Sequence, residues 1–294
     1  MSPDLVVDPS TKSYWDGAAA THGTTPGDRY YLLDDVVAGG TMMTSLEEQA
    51  LARATGAGPA TPLGALVGRD VLHLQSHIGV DGVVMARAGA RVTCADYSAV
   101  ALGRAQDLAA RVGVTIETVE TDARDLPPSL HGRFDVVYAT IGAICWIDDL
   151  DLWMRQVALA LRPGGVLVMV ELHPAYQMFD SLSPEVVCDF PYGGGVACVY
   201  TGAGSYADPT DTSEATTTSY AHSIADVVMS GLRAGLTLEH LDEHDAIAFN
   251  PRGDDVLTQG DDGLHRFLHG RGTNPGEPPQ PLPVAFTYLA RKAL

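Results

Sequence analysis

The segment Asp70-Val-Leu-His-Leu-Gln-Ser-His-Ile-Gly79-Val-Asp81 reads as a strand, a tight turn and the start of a helix. Such a turn presents backbone N–H groups and a helix N-terminus to the charged group of a ligand. Its glycine content is low, Gly79 being the only one between Gln75 and Val80, so taken alone the segment suits any strand-to-helix turn. The next strand ends in Ala95-Asp96-Tyr97-Ser98, which places Asp96 21 residues beyond Gln75. An acid at that spacing accepts hydrogen bonds from ribose hydroxyls in nucleoside-binding α/β folds. The competing role, a carboxylate near a helix start, is less favoured once the upstream turn is counted. Asp122 and Ala123 follow a third strand, where the acid can hold the amine of an adenine or serve as an ordinary loop acid. Thr140 opens a run to Trp146 that would floor a pocket between strands one and four. Three further ionisable groups, Glu171, His173 and His222, could take a proton from a reacting group. Glu171 and His173 share a side if their strand continues; each also suits a structural part, Glu171 as a bonded strand-end acid and His173 as a turn histidine before Pro174. Glu243-His244-Asp245, with His240 or His222, invites a metal. Neighbours on a strand project to opposite faces, so a polar network is favoured and no metal is expected.

The elements that must position these residues alternate. Val71–Leu74 reads as strand one, Gly79–Ala88 as a helix, Arg91–Ala95 as strand two. Ser98 is a plausible N-cap for a helix with Ala101, Ala105, Leu108 and Val112 on one face, closed at Gly113. Val114–Glu120 and Phe134–Ala139 are strands three and four, Asp149–Leu161 is helical, and Val166–Val170 is strand five. Strand and helix in alternation predict a parallel sheet covered on both faces. Residues 172–222, rich in Gly, Ser, Thr and Tyr, read as an insertion over the sheet. Ser223–Ala234 resumes as a helix, then Leu236–Leu241 and Val284–Ala290 as the last strands. The Gly- and Pro-rich stretch between those strands carries no helix pattern, so they are read as an antiparallel pair. Residues 1–60 read as an irregular N-terminal cap segment, apart from a helix near Ser45–Ala54 with Ser45 as N-cap and Glu48 completing a capping box. Residues 61–294 then form one domain.

Composition narrows the ligand. A net charge of −19, with no basic run, repels phosphate backbones and anionic lipid; neither nucleic acid nor membrane is an expected partner. No apolar run approaches the ~20 residues of a membrane helix. The N-terminus lacks the basic start and apolar stretch of a signal peptide, so the expected compartment is the cytoplasm. Cys94, Cys145, Cys188 and Cys198 contain no C-x-x-C pair and read as reduced, mostly buried thiols.

The runs V-L-H-L-Q-S-H-I-G-V-D, A-G-A-R-V-T-C-A-D-Y-S, D-A-R-D-L, F-D-V-V-Y and L-R-P-G-G together resemble the class I S-adenosylmethionine-dependent methyltransferases. The likeness is strongest to a bacterial branch whose first motif reads L-H-L-Q-C-H-x-G-x-D. It spans roughly residues 30–294 and includes E-L-H-P at 171–174, Y-A-H-S at 220–223, A-G-L at 234–236, E-H-D at 243–245 and the closing L-P-V-A-F-T-Y-L-A. Ser76 stands where that branch has Cys, and Tyr220 where Trp is expected.

The resemblance implies a Rossmann-like α/β fold with a seven-stranded sheet in the order 3-2-1-4-5-7-6, the last strand antiparallel. It implies S-adenosyl-L-methionine held by Gln75, Ser76, His77 and Gly79 at the methionine part, Asp96 at the ribose and Asp122 with Ala123 at the adenine, with Tyr97 and Thr140 also on the cofactor. The acceptor expected with this charge is a small molecule, with Glu171, His173 or His222 as base, and a homodimer is left open. Trp15, Tyr30 and Tyr31 in the N-terminal segment suit a lid. Two other classes share the same features: an NAD(P)-dependent oxidoreductase, against which the missing G-x-G-x-x-G and the antiparallel tail count, and a protein that binds S-adenosylmethionine without methylating.

Overall fold

The computed structural model describes residues 8–24, 28, 30–58, 60–179, 188–205, 207, 214–250, 257–268 and 281–294. Three helices come first: α1 (Pro9–Thr21), α2 (Leu33–Val37) and α3 (Ser45–Thr55). The alternating stretch follows as β1 (Asp70–Leu74), α4 (Val80–Arg87), β2 (Arg91–Asp96), α5 (Ala99–Val112), β3 (Glu117–Glu120), β4 (Phe134–Thr140), α6 (Leu150–Ala160) and β5 (Leu161–Leu172). The short α7 (Pro174–Gln177) leads to a hairpin of β6 (Val196–Ala203) and β7 (Glu214–Ala221), then α8 (Ile224–Arg233) and β8 (Leu236–His244). A small sheet of β9 (Thr258–Gln259), β10 (His265–Leu268) and β11 (Pro281–Leu282) precedes the closing β12 (Ala285–Lys292).

The main sheet runs β3-β2-β1-β4-β5-β12-β8. Its first five strands pair in parallel, and β12 lies antiparallel to both β5 and β8. Counted along the sheet's own strands this is the expected order. The physical reason is the one read from the sequence: a parallel crossover needs a helix, and β8 to β12 has none among the described residues. Alternation along the strands sorts the core into two layers. Val71, Val136, Tyr138, Val166, Val168 and Val170 face α3, α4 and α5. Leu72, Leu74, Val137, Leu167, Met169 and Phe286 face the buried Trp153 and Val157 of α6 and Val227 of α8.

Several local readings are corrected. Among the described residues, the N-terminal segment carries two helices, α1 and α2, where an irregular chain is expected from the sequence. Asp8 caps α1 by accepting from the Ser10 N–H, and Pro9 takes the first helical position. Only Thr11, Ala18 and Ala19 of α1 are buried, so it carries no apolar stripe for a sequence pattern to find. The capping box of α3 is Thr44 with Glu47, one residue earlier than Ser45 with Glu48. Both pairs have the spacing; Glu47 wins because it turns inward to the Tyr138 hydroxyl. β3 starts at Glu117 because the Val114 N–H still bonds the Ala109 carbonyl at the end of α5. β5 is longer than its apolar centre, and the described residues of the 172–222 insertion include α7 and the hairpin. Only Cys94 of the four thiols is fully buried, and Cys188 is exposed.

Candidate functional site

The turn after β1 is unusual in its backbone. Gln75 and His77 have φ of 56° and 48°, a left-handed conformation that ordinarily favours glycine. Side-chain and backbone bonds hold it. The Gln75 amide donates to the Ala143 carbonyl at 2.9 Å and accepts from the Trp153 indole at 2.9 Å. The His77 N–H donates to Asp96 Oδ2 at 2.8 Å, and the Ser98 N–H to Asp96 Oδ1 at 2.9 Å. Strained turns secured in this way cluster at ligand sites. The low glycine count of the segment thus has an explanation: two of its left-handed positions are occupied by residues that earn a partner there. The exception is Gly79, with φ +69°, where a Cβ would sit 2.5 Å from that of Ala105. Glycine is needed there for α4 to begin against α5.

A cavity of about 270 Å³ opens beside this turn at the carboxyl ends of β1, β2 and β4. Gln75, Ser76, His77, Gly79, Asp96, Tyr97 and Thr140 all line it. A second cavity of about 100 Å³ is lined by Asp122 and Ala123 and shares Gln75, Tyr97 and Trp146 with the first. The nine residues expected at a cofactor therefore line two cavities that share Gln75, Tyr97 and Trp146. Burial lifts the Asp96 carboxyl to about 6; with both oxygens receiving a backbone N–H, it still has lone pairs for further donors. Asp122 is engaged by Arg124 at 2.7 Å, and Arg124 reaches on to Asp148 at 2.5 Å.

Helix α1 and the segment before α2 line the first cavity. Tyr14, Trp15, Tyr30 and Tyr31 line it together with Met42, Trp146 and Phe249. The Trp15 ring meets His77 and Trp146 edge-on at 5.2 and 5.3 Å. His22 stacks on Tyr31 and lies 3.0 Å from His77 Nε2, while the Arg104 guanidinium donates to the Ala19, Ala20 and His22 carbonyls at the end of α1. Burial, with His22 and Arg104 nearby, depresses His77 to about 3 and keeps it neutral.

The expected base residues are placed differently. Glu171, His173 and His222 line neither cavity. Glu171 is 1% exposed and its carboxylate accepts from the N–H groups of Gly142, Ala143, Ile144 and Leu172. It pins the loop after β4. His173 caps α7 through Nδ1 and meets Glu243 at 2.6 Å through Nε2, and the His222 Nε2 lies 2.7 Å from the Ile147 carbonyl. The reading of these three as a converging set is corrected: Glu171 and His222 bond backbone groups of cavity-lining residues (Gly142, Ala143 and Leu172; Ile147) from behind, and His173 bonds Glu243, so none of the three faces either cavity. His244 bonds Thr287 instead of joining Glu243 and Asp245. Tyr220, which stands where the resembling branch has Trp, lines the second cavity beside Asp122. Sequence reasoning missed Glu47, whose only signal was the ambiguous capping box, and passed over Asp81 within the first motif. Both line the first cavity.

Residues 78–169 match a family model described as a methyltransferase domain. The methyltransferase YbaJ of Bacillus subtilis (strain 168), itself uncharacterized, is 32% identical over 114 residues, a stretch covering 39% of this chain and 44% of that protein. Among solved structures, an S-adenosylmethionine-dependent methyltransferase of Clostridium acetobutylicum superposes with a TM-score of 0.54 at 13% identity, covering 90% of this chain and 97% of the other. The cyclase SpnF superposes with a TM-score of 0.53 at 13% identity, covering 99% and 98%.

Proposed function

We propose that this protein transfers a methyl group from S-adenosylmethionine to a small-molecule acceptor. The observation that carries the reading is the placement of Asp96 and the Gln75–Gly79 turn on one cavity and Asp122–Ala123 on a second that shares Gln75, Tyr97 and Trp146 with it, with Asp96, Asp122 and Ala123 inside the stretch that matches a methyltransferase domain. In this reading the adenine lies in the smaller cavity against Ala123 and Trp146. Asp96 accepts from the ribose hydroxyls, and the methionine part follows the turn. The acceptor enters on the side of Tyr30, Met42 and Phe249.

The sulfonium methyl is already activated, so the protein's task is to align a nucleophile with it and keep water out. The aromatic residues of α1 and of the segment before α2 supply the exclusion. With Glu171 saturated by backbone donors, alignment carries most of the rate. The antiparallel β12 between β5 and β8 and the absent G-x-G-x-x-G weigh against nicotinamide chemistry. The test is a screen of hydroxyl, amine and carboxylate metabolites with labelled methyl donor, following label in product and release of S-adenosylhomocysteine. Product formed without S-adenosylhomocysteine would overturn methyl transfer in favour of a reaction that uses the cofactor without consuming it, and tighter binding of NADH than of S-adenosylhomocysteine would overturn the cofactor.

A further inference from the structure

The first cavity contains two carboxyl groups that pair with no cation among the described residues. Glu47, in the first turn of α3, is 4% exposed, and Asp81 sits in the first turn of α4 facing the same space. The Tyr138 hydroxyl lies 3.1 Å from Glu47 Oε1 and 3.2 Å from Asp81 Oδ2, and the Thr140 hydroxyl 3.3 Å from Asp81 Oδ2. The Thr44 N–H donates to Glu47 Oε2 at 2.5 Å. One tyrosine O–H serves only one acceptor well, so the two carboxyls are short of donors. Among the described residues no Lys or Arg forms an ion pair with either, whereas Asp122 and Asp70 each have an arginine. The cavity lining holds Glu47, Asp81 and Asp96 and no Lys or Arg. His73 of β1 lines it too, is 5% exposed and has an Nδ1 with no hydrogen-bond partner. Burial keeps that imidazole neutral down to about pH 3, so it supplies no counter-charge.

Burying carboxylates without a cation is costly, and such pairs shed charge by holding a proton. Desolvation raises both groups, and for Glu47 the Asp81 charge adds to it. The pair therefore favours one shared proton and one net charge. Both side chains lie at helix N-termini, which favour their ionised form once a cation arrives. We propose that Glu47 and Asp81 together form the receptor for an aliphatic ammonium group of a ligand bound in this cavity, with Tyr138 and Thr140 fixing its position. The ammonium donates to both carboxylates and the shared proton leaves to solvent. The inference rests on the methyl-transfer reading for the two sources of that group: the α-amino group of the donor's methionine part, or an amine acceptor.

Calorimetry on wild type, Glu47→Gln and Asp81→Asn tests it. Gln keeps an oxygen for the Thr44 N–H, so α3 retains its cap, and Asn preserves the shape of Asp81. The probes are S-adenosylhomocysteine, methylthioadenosine (which lacks the amino-acid end), and benzylamine with and without saturating S-adenosylhomocysteine. If the donor supplies the ammonium, both variants lose about ten- to a hundredfold in S-adenosylhomocysteine affinity, the scale of a charge-assisted hydrogen bond, and bind methylthioadenosine as wild type does. Wild type then releases a proton on binding, read from the heat in buffers of different ionisation enthalpy, and Glu47→Gln does not. If an acceptor supplies it, S-adenosylhomocysteine binding is unmoved and benzylamine binding is lost in both variants. Unchanged affinities throughout, or equal losses for S-adenosylhomocysteine and methylthioadenosine, overturn the receptor. Failure of wild type to bind S-adenosylhomocysteine would instead sink the cofactor reading, leaving the receptor to stand or fall on benzylamine alone.

Discussion

Glu171 illustrates how a side chain of the right type at a strand's end can be wholly spent on architecture. Four backbone N–H groups converge on its carboxylate. Replacing it by Gln turns an amide N–H₂ towards those donors, at a cost of roughly 1–3 kcal/mol for the groups left unsatisfied. Thermal unfolding of Glu171→Gln should fall by several degrees, at about 2–4 °C per kcal/mol for a domain of this size. His173→Asn and His222→Asn should keep single-turnover methylation within about tenfold of wild type. A loss of about 10²-fold or more at any of the three, with stability unchanged, would reinstate that residue as a base. Asp96 is the opposite case. Asp96→Ala should weaken S-adenosylhomocysteine binding by about one to two orders of magnitude. Because burial raises its carboxyl to about 6, and the ionised form is the better acceptor for ribose hydroxyls, wild-type affinity should fall as pH drops through about 6. A calorimetric pH series would show it, and the same slope in Asp96→Asn would remove Asp96 as its source.

At the level of elements, α1 is fastened over the site from two sides. Asp16 accepts from the Ser98 hydroxyl at the start of α5, and Thr11 receives the Thr218 N–H from β7. Removing residues 1–40 would also strip Leu33 and Val36 from the core, so that cut tests folding more than closure. A truncation ending at His22 spares both. It should leave a cooperative thermal transition while S-adenosylhomocysteine affinity and turnover fall together. Trp15→Ala should reproduce part of that loss without any truncation. Wild-type affinity and turnover in both proteins would mean that α1 covers the site without contributing to it.

The whole molecule carries a net charge of −19, and its self-repulsion destabilises the compact state as pH rises. The Glu47–Asp81 pair acts in the same direction. Its folded pKa values are raised, so the stability it contributes is complete below the unfolded values and is lost as pH climbs through the folded ones. The pair's contribution to the melting temperature of the ligand-free protein should therefore decline from about pH 4 to about pH 8. Glu47→Gln should remove the buried component of that slope. Salt should recover the surface component, since the screening length shrinks from about 30 Å at 0.01 M to about 3 Å at 1 M. A slope untouched by either change would contradict this account.

The alternating strands and helices, the antiparallel tail and the acid at the end of β2 were determined by the sequence itself, because each arises from short-range physics. Apolar period, glycine stops and a missing crossover helix act within a few residues of the element they define. The fate of individual polar groups was decided only in three dimensions. Glu47 competes with Glu48 on nearly equal local terms, and what selects it is the hydroxyl of Tyr138, 91 residues away. The left-handed turn at Gln75 and His77 is stable because Trp153, Ala143 and Asp96 come from other elements to hold it. Glu171 looked available as a base because nothing near it in the chain reveals the loop, 27–29 residues upstream, that folds its N–H groups onto it. Periodicity records which face of an element is buried, but the partner that satisfies a buried charge belongs to the tertiary structure.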